Sequence, residues 1–225
     1  MIELSDLRRD FGSKAVLRGV GATLLPGRVY GIVGENGAGK TTLFRCLAGL
    51  ITCEGDIHDP HNQLATKLGF LQTENYFLPK LTGREYLRLL CQARSVPVPP
   101  LDAQNLFDLP LDDYAETYST GMKKKLALLG VLLQGNEVFI LDEPFNGVDI
   151  QSNLLITEII RELRRRGKVV LISSHVFTTL RAVCDELFLL REGRFAEHVL
   201  PEEYGRLEQD MIAVTVGDRV RQLAL

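Results

Sequence analysis

The sequence predicts an α/β domain with a mainly parallel central sheet. Short apolar runs alternate with longer stretches of helical spacing, and a glycine-rich loop follows one apolar run and opens a helical segment. In order, Met1 to Phe11 and Ala15 to Leu25 read as strands of an N-terminal antiparallel β subdomain, Gly27-Arg28 as a turn, and Val29 to Val33 as a buried strand. Thr41 to Leu50 has helical spacing, with Leu43, Leu47 and Leu50 on one face. The stretch from about 76 to 134 reads as an inserted α-helical subdomain. Thr82-Gly83-Arg84-Glu85 matches a capping box, and the helix Arg84 to Arg94 ends at the proline-rich Val96-Pro97-Val98-Pro99-Pro100. The sheet resumes with Glu137 to Leu141, Lys168 to Ser173 and Glu186 to Leu190, interleaved with helices at about 150–166 and 176–184. Residues 1–225 form a single domain on this reading, with a short C-terminal extension from about 200 whose role the sequence does not reveal.

Composition narrows the function classes. The chain has 26 Lys+Arg against 29 Asp+Glu, a formal net charge of −3, so it lacks the basic field of a general phosphate-backbone binder. No apolar run approaches the ~20 residues of a spanning helix, and MIELSDLRRD lacks the apolar stretch of a secretory leader. Cys46, Cys53, Cys91 and Cys184 form no C-x-x-C pair and read as reduced thiols of a cytoplasmic protein.

Gly34-Glu35-Asn36-Gly37-Ala38-Gly39-Lys40-Thr41 fits G-x-x-x-x-G-K-[ST], after an apolar strand and at a helix start. Such a loop closes backbone amides around a phosphate chain. Lys40 would reach the β- and γ-phosphates, Thr41 would place its hydroxyl on Mg²⁺, and the helix N-terminus adds a favourable field. Val138-Phe139-Ile140-Leu141 then delivers Asp142-Glu143, adjacent carboxylates suited to Mg²⁺ coordination and to water activation respectively. Tyr118-Ser119-Thr120-Gly121-Met122 precedes a predicted helix, Lys123 to Leu133, that leads into the carboxylate strand.

Loop, carboxylate strand and this third segment together resemble the ABC ATPases, specifically the nucleotide-binding subunits of ABC transporters, from about Leu4 to about Arg194. The resemblance implies a P-loop NTPase core and a head-to-tail pair of subunits, in which each ATP lies between the phosphate loop of one copy and the signature of the other. It implies nucleotide binding by Phe11, Val16, Asn36, Gly37, Ala38, Gly39, Lys40, Thr41, Thr42, Ser119, Gly121 and Asp149. Phe11 stands where an aromatic residue stacks on adenine. Thr41, Gln72 and Asp142 fall at the Mg²⁺ stations, and Glu143, His175 and Gln72 at the catalytic ones. Asn146-Gly147-Val148-Asp149 is similar to the loop that links the two ATP sites, and Ser173-Ser174-His175 to the switch that contacts the γ-phosphate.

Two residues depart from the family pattern: Thr120 where the first signature glycine is usual, and Glu35 where many relatives have proline. Because Thr carries a Cβ, the backbone at Thr120 is expected to have ordinary φ. A substituted first glycine followed by Gly-Met resembles export-type subunits. The implied partners are ATP, a second copy of the chain or another cassette, and integral membrane permease subunits, with the chain peripheral on the cytoplasmic face of the membrane and no direct nucleic-acid contact. The groove for the permease is expected near 72–86, with Tyr76, Phe77 and Leu78 as exposed apolar contacts. Two alternatives from other classes are a soluble ABC-type ATPase acting on ribosomes or DNA and a P-loop kinase or GTPase. The first usually carries tandem cassettes or a coiled-coil insertion, and the second does not need the signature, Gln72 and His175 as a set. His58 and His61 are three apart but have no third ligand for a metal, and Lys123 to Lys125 and the basic run Arg161 to Lys168 read as solvated helix faces.

Overall fold

The structure, a computed structural model, describes residues 1–60 and 64–212. The end of the C-terminal extension, and His61 of the discounted histidine pair, lie outside the described residues. Strands β1 (Ile2–Phe11), β2 (Lys14–Leu24) and β4 (Glu54–His58) form an antiparallel sheet in the order β2-β1-β4. The second sheet runs β5-β6-β7-β3-β8-β9, built from β3 (Arg28–Val33), β5 (Leu68–Leu71), β6 (Val138–Asp142), β7 (Val169–Ser173), β8 (Glu186–Arg191) and β9 (Arg194–Val199). Within it β5, β6, β7, β3 and β8 are parallel, and β9 returns antiparallel to β8.

Continuous apolar runs form the parallel strands because both faces of the sheet are covered. Along β7, Val169 and Leu171 face the core shared with the antiparallel sheet and with α1 (Lys40–Leu47), where Leu4, Leu7, Val20, Leu43 and Phe44 pack. Val170 and Ile172 face the opposite core, together with Leu87, Leu128, Ile156 and Leu180. These come from α3 (Gly83–Ala93), α4 (Thr120–Leu133), α5 (Ile150–Arg165) and α6 (Phe177–Val183). Two short helices, α2 (Leu64–Lys67) and α7 (Tyr204–Ile212), were not named from the sequence; Leu64 packs on the first core, and Tyr204 and Leu207 are buried in the second.

Several boundaries differ from the sequence reading for identifiable reasons. Helix α1 stops at Leu47 because Ala48 caps it and Gly49 takes φ 68°, so Leu50 is exposed beyond the helix instead of lying on its buried face. Helix α4 starts at Thr120, three residues earlier than expected, with Ser119 as N-cap. Lys123 to Lys125 therefore sit past the unpaired amides of the helix start. Strand β4 is a polar edge strand paired only with β1, and β5 has four residues, so neither carries a periodic signal. Strand β9, also not named from the sequence, is set by its turn: Glu192 and Gly193, at φ 48° and 75°, make a two-residue hairpin between the paired Arg191 and Arg194.

The capping box at α3 is present, with Thr82 accepting from the Glu85 amide and Glu85 reaching back to the Thr82 amide. Beside it Arg84 grips Asp102 at 2.8 Å and Asp112 at 2.7 Å. Hydrogen bonds from this guanidinium hold both carboxyls below the usual aspartate range. A carboxyl whose folded value lies below its unfolded value of about 3.9 contributes stability above that pH and loses it as the pH falls through the folded value. Acidification from about pH 5 to 3 should therefore lower the melting temperature of the unmodified chain more than that of Arg84→Met. Thermal melts across that range check this, and parallel slopes would contradict it.

Candidate nucleotide site

The site lies at the carboxyl ends of β3, β6 and β7, where an open α/β sheet places its ligands. The loop after β3 reaches α1 through Gly39, whose φ of 111° is one that a side chain rarely adopts. Lys40 is buried, and its ammonium donates to the carbonyls of Gly34 at 2.7 Å and Glu35 at 3.1 Å. Burial pushes the Lys40 ammonium below the ordinary lysine value, while the Glu143 and Asp142 carboxylates pull it back up.

Asp142 is the centre of the hydrogen bonding. Only 1% exposed, its Oδ2 accepts from Thr41 Oγ1 at 2.9 Å and from Thr73 Oγ1 at 2.8 Å, and its Oδ1 accepts from Ser173 Oγ at 2.5 Å. Ser173 is paired with Asp142 in the parallel register of β6 and β7, which puts its hydroxyl beside the carboxylate. The same hydroxyl accepts the Glu143 amide at 3.0 Å. Glu143 takes φ 53°, unusual for a non-glycine residue, and its Oε2 lies 2.8 Å from His175 Nδ1. A turn out of the strand thus aims Glu143 across to the loop after β7.

A cleft of about 450 Å³ collects most of the residues expected to bind nucleotide: Phe11, Val16, Asn36, Gly37, Gly39, Lys40, Thr41 and Thr42, with Asp142, Glu143 and also Thr73. Ala38 lines a neighbouring cleft that shares Lys14, Val16, Asn36 and Gly37 with the first. Phe11 is 47% exposed at the end of β1, and the Arg9 guanidinium lies 4.7 Å from its ring centroid. Arg9 is itself anchored by the Thr52 carbonyl and hydroxyl.

Other expected residues stand apart from this cleft. Ser119 caps α4, accepting the Met122 amide at 3.2 Å, and is exposed. Thr120 is the first helical residue and takes no positive φ, as its Cβ requires. Gly121 is needed for a different reason: a Cβ there would lie 2.7 Å from the Gly147 carbonyl, so the signature and the loop before α5 pack backbone to backbone. Asp149 caps α5, and its bonds from the Ser152 amide and hydroxyl, with Lys125 at 3.3 Å, hold its carboxyl far below the usual range. Gln72 follows β5 half-buried, and its carbonyl accepts from Asn75 at 3.0 Å.

Thr73 and Ser173, both on Asp142, were missed by sequence reasoning. Ser173 was named only as part of the segment before His175, and its bond to Asp142, like that of Thr73, had no signal in the sequence. Phe77 corrects the expected exposed trio: it is buried and packs on Tyr86 with ring centroids 4.8 Å apart, leaving Tyr76 and Leu78 exposed. The basic run at the end of α5 is largely paired within the chain, Arg164 with Asp185, Arg166 with Glu162 and Lys168 with Glu137.

The family model described as ABC transporter matches residues 17–146, from β2 through the phosphate loop and the signature to the end of β6 and just beyond. The chain belongs to this family. As an ABC ATP-binding subunit it binds ATP and is an ATPase. It is 31% identical over 208 residues to the Nod factor export ATP-binding protein I of Burkholderia lata, covering 86% of this chain and 68% of that one. It is also 31% identical to the ABC transporter ATP-binding protein NatA of Bacillus subtilis, covering 86% and 87% respectively. A solved ATP-binding subunit of an ABC transporter superposes with a TM-score of 0.80 at 24% identity, covering 93% of each chain. A dimeric ATP-binding cassette in a post-hydrolysis state bound to ADP and Pi superposes with a TM-score of 0.78 at 18% identity, covering 89% of this chain and 99% of that one. Among the described residues no helix is long and apolar enough to cross a membrane.

Ser173→Ala should destabilise the fold by about 1–3 kcal/mol, because it leaves a buried carboxylate short of a donor and weakens the hold on the Glu143 amide. Urea unfolding measures this, and a change below about 0.5 kcal/mol would mean that water or Thr73 replaces the hydroxyl fully.

Proposed function

We propose that this chain works as one of two copies that close around two ATP molecules and drive export through separate membrane subunits. The observation that carries this reading is the division of the family's site residues within one chain. Lys40, Thr41, Asp142 and Glu143 share a cleft, whereas Ser119 and Gly121 lie outside it on an exposed helix start. A phosphate bound by Lys40 can meet a signature only if a second chain supplies it.

In this scheme the loop amides, Lys40 and Thr42 hold the phosphates, Phe11 stacks on the adenine, and Val16 packs beside the nucleotide. The donor set fits Mg²⁺: Thr41 offers a hydroxyl and Asp142 a buried carboxylate, hard oxygen ligands to which the phosphates and the Gln72 side chain add. Among the described residues no group of three or more His, Cys, Asp and Glu gathers to hold a metal by protein ligands alone. Bound there, Mg²⁺ would neutralise charge that develops on the phosphate oxygens. Glu143 takes the proton of the attacking water. His175, now beside the Glu143 carboxylate, turns to the γ-phosphate and steadies it.

Export is the direction favoured by the substituted signature, and the named relatives include Nod factor exporters. The exposed Tyr76 and Leu78 would be the contact for a permease segment, with the subunit peripheral on the cytoplasmic face of the membrane in this scheme. Action on ribosomes or DNA is disfavoured by the internal pairing of the basic run.

Glu143→Gln removes the proton acceptor and should trap the closed pair. Light scattering with Mg-ATP is expected to double the mass from the 25.1 kDa of one chain, with no change in the absence of nucleotide. A mass that stays at one chain under saturating Mg-ATP would overturn the two-copy sandwich.

A further inference from the structure

Lys124 was expected to be a solvated residue at the start of the signature helix. It is instead 5% exposed, and its ammonium donates to three backbone carbonyls, those of Thr73 at 2.9 Å, Glu143 at 3.3 Å and Gln72 at 3.4 Å. A lysine ammonium has three donors and no acceptor, so these carbonyls account for its whole hydrogen-bonding capacity. An apolar side chain would fill the same buried place without the desolvation of a charge. The cation is kept where it binds the backbone of the residues that surround Asp142.

Each carbonyl belongs to a segment that carries a site group. Thr73 also places its hydroxyl on Asp142, and Glu143 carries the carboxylate that faces His175. Lys124 itself lies on α4, within a turn and a half of Ser119 and Gly121, on a helix rigid over that length. One side chain therefore ties the loop after β5 and the turn after β6 to the helix start that would meet the other copy's nucleotide.

We propose that Lys124 is a positioning residue that couples a subunit's own ATP site to the signature it presents across the sandwich. Nucleotide entering the cleft meets Thr73, Asp142 and Glu143, and displacement of their backbone is transmitted through the three carbonyls to α4. Burial pushes the Lys124 ammonium down, and the Asp142 and Glu143 carboxylates oppose that shift. The coupling rests on the two-copy reading given above, and its test separates the two.

Lys124→Met, Lys124→Gln and Lys124→Arg are compared with the unmodified chain for ATP sites per chain, Kd for Mg-ATP, and steady-state kcat and KM. Lys124→Met is expected to keep one ATP site per chain and a Kd within two-fold, while kcat falls at least ten-fold. Lys124→Arg, which keeps a cation and several donors, should recover at least a third of kcat, with Lys124→Gln in between. In the Glu143→Gln background, Lys124→Met should bind Mg-ATP but fail to double its mass. If Lys124→Met folds poorly, Lys124→Gln carries the comparison, because its amide can satisfy two of the three carbonyls. The role is overturned if kcat stays above half, or if it falls only in step with the loss of ATP sites, as a purely structural defect would give. An unmodified chain without Mg-ATP turnover, or a Glu143→Gln chain that never pairs, would instead count against the sandwich itself.

Discussion

The site depends on one buried carboxylate. Asp142 is almost wholly enclosed, and a charge taken out of water is tolerated only when hydrogen bonds replace the water. Three hydroxyls do so, each from a different segment: Thr41 at the start of α1, Thr73 after β5, and Ser173 at the end of β7. Hydrogen bonds to a charged group contribute about 1.5–3 kcal/mol each, enough to fix where each segment ends relative to β6. The phosphate loop, the loop after β5 and the loop after β7 are thereby registered to one another before any ligand arrives. Much of what the site does to a nucleotide follows from that registration.

Around the carboxylate the charges balance. Asp142 and Glu143 face two buried ammonium groups, those of Lys40 and Lys124, and each lysine is held on backbone carbonyls instead of in a direct ion pair. Direct pairing would bring the cation onto the carboxylate and close the space that the proposed metal–phosphate complex would occupy. Holding Lys40 on the Gly34 and Glu35 carbonyls leaves it close to the cleft but uncommitted, and burial weakens its hold on the proton. An incoming phosphate then offers it a better acceptor than its own loop. Lys124, on the far side, has no opening to the cleft and keeps its carbonyls.

What the sequence disclosed and what it concealed follow a physical division. Contiguous motifs were legible because their chemistry is local: the loop ending in Lys40-Thr41, the strand ending in Asp142-Glu143, and the capping box of Thr82 and Glu85 each declare their geometry within a few residues. The parallel strands β3, β6, β7 and β8 were legible because burial on both faces forces unbroken apolar runs. Strands β4 and β5 were not, since one is a polar edge strand and the other is four residues long. Thr73 and Ser173 escaped for a different reason. A threonine or serine says nothing about its partner until the fold brings a carboxylate to it, and both partnerships span large separations along the chain. Lys124 escaped by its company, because a run of three lysines reads as surface, whereas its neighbour Lys125 turns to Asp149 and Lys124 alone points inward.

In the proposed pair, the signature is what each copy would supply to the other. Ser119 and Thr120 are exposed at the head of α4, and Gly121 has no side chain because the Gly147 carbonyl occupies the space. A helix start draws anions only within its first turn, and the cleft lined by Lys40 does not include these residues. Among the described residues the head of α4 is thus capped by Ser119 but lies outside the phosphate-loop cleft of its own chain. Backbone packing of Gly121 against Gly147 also links the signature to the loop whose Asp149 caps α5 and is paired with Lys125 of α4. The head of α4 is thus held from two directions, by Lys124 on the carbonyls of Gln72, Thr73 and Glu143 and by the loop from Gly147 to Asp149, and in the proposed pair this is the face a second copy would meet. Such bracing would serve no purpose for a residue set that merely ended a helix at the surface, and it is what a face needs if it must meet a phosphate held by another molecule in fixed register.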